Sequence, residues 1–177
     1  MRTWKGKLNK RGTKGRQQRK MKDWLYDFYK VRENDPLNAR FSKAEMLAAC
    51  RMDVNNTKDY HSVASFLTTQ IRTFGSVVDN ELPAVLRNHP SMDDGTMFKK
   101  LVLAAKSYEV YPLKSMGDGI YGLITLDDFR EMKQKRMRSV VTEIKNTIPE
   151  CKKWGIILPQ ELQGIIPRGL TERTESE

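Results

Sequence analysis

Apolar positions return about every 3.6 residues through most of this chain, with polar residues on the opposite face, the pattern of helices packed along one side. In MKDWLYDFYKVREND, Met21, Trp24, Leu25, Phe28 and Val31 follow that period. The Asp35-Pro36 pair ends it, because the residue before a proline is pushed out of the α region. Over 42–52, Ser42 and Glu45 form an S-x-x-E capping box ahead of Met46, Leu47 and Cys50. Asn55-Asn56-Thr57 then turns the chain into a helix over 58–74, whose apolar face is Tyr60, Val63, Ala64, Leu67, Ile71 and Phe74, with Gly75 placed as its C-cap glycine. A short helix over 81–88 holds Pro83 in its first turn. Another over 94–106 collects Met97, Phe98, Leu101, Val102 and Ala105, with Ser91 and Asp94 as candidate caps.

The period then changes. YEVYPLK and IYGLITL, rich in Tyr, Val, Ile and Leu, flank a turn centred on Gly117-Asp118-Gly119, the one convincing hairpin signal in the chain. Thr125 and Asp128 open a helix over 128–148 with Phe129, Met132, Met137, Val140, Val141, Ile144 and Ile148 along one stripe, and Pro149 is expected to end it. Residues 156–170 read as irregular, and the polar last seven as frayed. The fold class expected is mainly α with one β-hairpin.

Charge sharpens this picture. The 177 residues carry 32 Lys+Arg against 22 Asp+Glu, a net +10. Residues 1–20 hold Arg2, Lys5, Lys7, Lys10, Arg11, Lys14, Arg16, Arg19 and Lys20 and no acid, leaving 23 basic against 22 acidic side chains for the rest. This predicts a self-repelling, disordered basic arm over 1–20, a helical body over 21–155 and an irregular tail over 156–177. A flexible run of Lys and Arg points to a polyanionic partner, nucleic acid first and an acidic membrane surface second. A solubilising or targeting tail is the plainer alternative. Trp4 adds a ring able to stack on a base. The longest stretch free of formal charge, Tyr60 to Ile71, has 12 residues, well short of the roughly 20 that span a bilayer. The basic opening has no apolar core of a secretory signal, so an intracellular location is expected.

Chemistry-bearing residues are sparse. Cys50 and Cys151 are far apart, and with His61 and His89 they offer no ligand-pair spacing, so neither a disulfide framework nor a metal site is expected. E-x-K occurs at Glu131–Lys133, Glu143–Lys145 and Glu150–Lys152. The first two lie on a helix, where residues two apart do not face each other. The third has no strand to hold it. Phosphate-loop, nucleophile-elbow and zinc-protease patterns are absent, and the reading is non-enzymatic, with no cofactor.

From Lys58 onward the order is helix (58–74), short helix (81–88), helix (94–106), strand (108–114), wing turn (115–119) and strand (120–126). That order resembles the winged helix-turn-helix superfamily over 58–126. The resemblance implies that helix 94–106 enters the major groove of duplex DNA, with Thr96, Lys99, Lys100 and Lys106 meeting phosphates or base edges. Lys114 and Ser115 would approach the backbone from the wing. This helix presents no Arg, Asn or Gln, so phosphate positioning is expected over base readout. A rival register makes 58–74 the reader, with His61, Ser62, Ser65, Thr69, Gln70 and Arg72. DNA is preferred over RNA, in a regulatory or accessory role. The alternatives are an RNA- or ribosome-associated structural protein, or an adaptor that pairs with a second copy or a partner protein through helix 128–148.

Overall fold

The structure, a computed structural model, describes residues 5–155, with side chains described from Lys14 onward except for most of those over 140–152. It is mainly helical, with five helices and one small antiparallel sheet. The order is α1 (Lys5–Arg32), β1 (Arg40–Ser42), α2 (Lys43–Ala49), α3 (Thr57–Asn88), α4 (Asp94–Lys106), β2 (Leu113–Gly117), β3 (Ile120–Leu123) and α5 (Leu126–Lys153). The chain divides into two compact units, Met1–Leu126 and Asp127–Glu177.

Within the first unit, α1 buries Met21, Leu25 and Tyr29, one residue per turn, while Val31 is left exposed. The Trp24, Phe28, Phe41 and Tyr121 rings then stack or meet edge-on in sequence, joining α1 to the sheet with centroids 4.8 to 5.8 Å apart. Ser42 caps α2 as its spacing predicts: its Oγ accepts from the Glu45 amide at 3.1 Å, and the Glu45 carboxylate accepts from the Ser42 amide at 2.6 Å. Asn56 caps α3, and α4 has the boundaries expected, although its cap is Asp93 and neither Ser91 nor Asp94.

The hairpin turns through Gly117, Asp118 and Gly119, all at positive φ (87°, 51° and 73°), a conformation that glycine adopts without steric cost. The strands are shorter than 108–114 and 120–126. A third strand absent from the sequence reading, β1, pairs with β3, giving the order β1-β3-β2. Gly122 makes this close approach possible, since a Cβ there would lie 3.1 Å from the Ala39 carbonyl and 3.0 Å from Met116 Sδ. The sheet therefore draws on residues well before 58.

Three other expectations are corrected. The segment 5–20 is not a disordered arm but the first half of α1, since Lys, Arg and Gln are good helix formers and the packed turns from Met21 onward supply the nucleus. Gly75 is not a C-cap. It sits inside α3, which runs unbroken through the expected break and through Pro83, because Phe74, Val77, Val78 and Leu82 are all buried on its far half. Burial outweighs the roughly 1 kcal/mol by which an internal glycine weakens a helix. Pro149 does not end α5, whose backbone continues to Lys153, although an internal proline loses its bond to the residue four back and crowds that residue's carbonyl. In the second unit Arg130 pairs with Asp127 at 2.7 Å along the first turns of α5. The tail expectation over 156–177 lies outside the described residues.

Gly75 provides a direct check on α3. Nothing lies within 4 Å of where its Cβ would be, and its φ is not positive. Gly75→Ala is therefore expected to stabilise the fold by about 0.5–1 kcal/mol in urea denaturation, whereas a true C-cap glycine would make the same change destabilising.

Candidate nucleic-acid interface

The basic residues named from the sequence fall into three groups. Arg2, like the neighbouring Trp4, lies outside the described residues, and Lys5, Lys7, Lys10 and Arg11 lie on the α1 backbone with side chains that are not described. Lys14, Arg16, Arg19 and Lys20 are exposed on α1. Arg16, Arg19 and Lys20 stand at i, i+3 and i+4, so they share one side of the helix. Lys14 falls on the other side, with Gln17, Gln18 and Met21, and these face α3.

On α4 the four named residues are not equivalent. Lys99 and Lys100 are exposed. Thr96 is exposed but occupied: its amide and hydroxyl both donate to the Asp93 carboxylate, at 2.9 and 2.6 Å, as part of the helix cap. These bonds hold the Asp93 carboxyl below its usual range. Lys106 lies 3.7 Å from Glu33 and 5.0 Å over the Tyr29 ring. Burial, with Glu33 beside it, pushes the Tyr29 hydroxyl up to about 12, so that ring stays neutral under the lysine. Thr96 and Lys106 thus hold the fold together, which an exposed-face count along the helix does not reveal. Lys114, on β2, is half-buried.

A second feature lies between α1 and α3. A cleft of about 430 Å³ is walled by Lys14 and Gln17 on α1 and by His61, Ser62, Ser65 and Thr69 on α3. This is the face named above as the rival reader, except for Arg72, and with Gln17 and Gln18 added from the segment read only for its charge. Gln70 closes the cleft from below. It is 6% exposed, and its Oε1 accepts from the Tyr111 amide at 3.2 Å. Lys22 borders the cleft and pairs with Glu109 at 2.5 Å.

Cys50 is buried, its thiol pushed up by that burial, which makes it a poor nucleophile. Among the described residues no three His, Cys, Asp or Glu side chains gather as a metal site would require, and no helix is long and apolar enough to cross a membrane. The Val140, Val141 and Ile144 side chains, on which an adaptor role would depend, are not described. No family model, curated protein or solved structure matches this chain.

Proposed function

We propose that this protein is a non-enzymatic nucleic-acid-binding protein that docks on duplex DNA, with a winged-helix-like body and a basic helix as its two points of attachment. The observation that carries the reading is the nine-to-none excess of basic over acidic residues in the first 20, of which Arg16, Arg19 and Lys20 stand together on an exposed side of α1. Such a side releases condensed counterions from phosphates, a contribution independent of base sequence. The passage of α4 into the β2–β3 hairpin supports the body's role, with Lys99 and Lys100 as its exposed cations. Phosphate contacts of this kind set register and orientation and carry no sequence information of their own.

The reading is tested by fluorescence anisotropy on a random-sequence duplex. Lys99→Glu combined with Lys100→Glu is expected to weaken binding by about tenfold or more at moderate salt, since two attractive charges become repulsive. Unchanged affinity would remove α4 from the interface, and no binding by the unaltered protein at low salt would overturn the reading.

A further inference from the structure

We propose that the cleft between α1 and α3 holds one unpaired nucleotide and prefers bases that carry an exocyclic amino group. This rests on the nucleic-acid reading above and narrows it, placing the protein where a duplex opens or ends.

The cleft's polarity is set by bonds its lining makes within the protein. The Ser62 hydroxyl donates to the Lys58 carbonyl at 2.9 Å, and the Thr69 hydroxyl to the Ser65 carbonyl at 2.9 Å. Each oxygen therefore faces the cleft as an acceptor. Gln17 donates one Nε2 hydrogen to Asp59 at 3.2 Å, which fixes the amide's orientation and makes its Oε1 a third acceptor. Gln70 is oriented the other way: its Oε1 is held by the Tyr111 amide, leaving Nε2 as a donor. Turning that amide over would bring two N–H groups together, so the donor is fixed.

Three fixed acceptors and one fixed donor suit cytosine or adenine, whose amino group stands beside an acceptor ring nitrogen. Uracil and thymine place a carbonyl oxygen where the amino group would be, opposite acceptors. Phe66 supplies an aromatic ring to the same wall for stacking, and Lys14 a cation for the attached phosphate. The volume lies within the roughly 300–1,000 Å³ of small-ligand sites. Pairing covers the Watson–Crick edges of cytosine and adenine and stacking holds the base inside the duplex, so only an unpaired nucleotide can enter the cleft with that edge free.

The test uses a duplex of about 20 base pairs with blunt ends, or with short unpaired tails of deoxycytidine or deoxyuridine, sizes that span one binding site. Cytidine tails are expected to bind about three- to tenfold more tightly than uridine tails, as one or two net hydrogen bonds would give. Ser62→Ala with Thr69→Ala, at partly or fully exposed helical positions that alanine suits, should remove that difference and leave the salt dependence unaltered. Equal affinity for both tails, with duplex binding intact, overturns the cleft as a strand site and leaves the nucleic-acid reading standing. Cytidine monophosphate alone separates the sources: a shift of the Gln70 side-chain amide resonances without any tail effect makes the ligand a free nucleotide, and no shift removes the cleft altogether. No binding of any of the three duplexes overturns the nucleic-acid reading, and the mononucleotide then decides the cleft by itself.

Discussion

Neutralising Arg16, Arg19 and Lys20 together to glutamine is expected to flatten the salt dependence of duplex binding, lowering the log–log slope by about 2.7. Each phosphate neutralised on B-DNA contributes about 0.9 to that slope. A difference of 2.7 amounts to about 40-fold more affinity lost by the unaltered protein between 50 and 200 mM salt. Three features of α1 support the size of the effect. The residues share one side, all three are exposed, and glutamine keeps the helix propensity of the cations it replaces. Among the described residues, Lys20 reaches the Cys50 carbonyl, at 3.5 Å, and pairs with no acid. Removing residues 1–20 would be a poorer experiment, because the cut passes through the middle of α1. A slope unchanged within about half a unit would mean that this side of the helix does not meet the phosphates.

Phe74→Ala has the largest expected effect on stability. The side chain is fully buried and stands at the point where α3 passes the expected break. Removing a buried phenyl ring costs about 3–5 kcal/mol, the lost transfer energy plus that of the cavity left behind. Against the roughly 5–15 kcal/mol that holds an ordinary domain together, this is a large share. Urea denaturation of the full chain reads it, as a lower midpoint with little change in slope. A loss below about 1 kcal/mol would mean that the second half of α3 is not packed against the body. Gly75→Ala, one residue on, should act in the opposite direction. The pair separates burial from backbone conformation at a single turn.

Where local signals and packing agree, the fold is legible in the residues. The Ser42–Glu45 box, the limits of α4 and the glycine turn of the hairpin each depend on side chains within a few positions of one another. Where distant burial decides, the local signals mislead. Gly75 and Pro83 are ordinary stop signals, yet α3 continues because Val77, Val78 and Leu82 have a core to enter. The three residues of β1 are too few for any alternation, and Ser42 already reads as a cap. The site divides in the same way. The charge excess near the N-terminus is a property of composition and is visible at once. That Lys106 and Thr96 are held by Glu33, Tyr29 and Asp93 depends on contacts that spacing alone does not disclose. Gln17 and Gln18 are uncharged residues in a run of cations, and no local spacing brings them opposite His61, Ser62, Ser65 and Thr69 on α3.

The placement of β1 has a consequence for how the chain acquires its shape. β2 and β3 adjoin in sequence, and a hairpin of that kind closes in about 1–10 μs. β1 is separated from its partner by three helices, since Arg40 pairs with Gly122 and the Ala39 carbonyl receives the Leu123 amide. During synthesis, at about 5–20 residues per second, Phe41 emerges several seconds before Tyr121, the ring it will stack upon. Through that interval the aromatic end of α1 has no sheet to rest against. The nascent chain is then most open to chaperones and to association with its neighbours, and the arrival of Ile120–Leu123 ends that exposure.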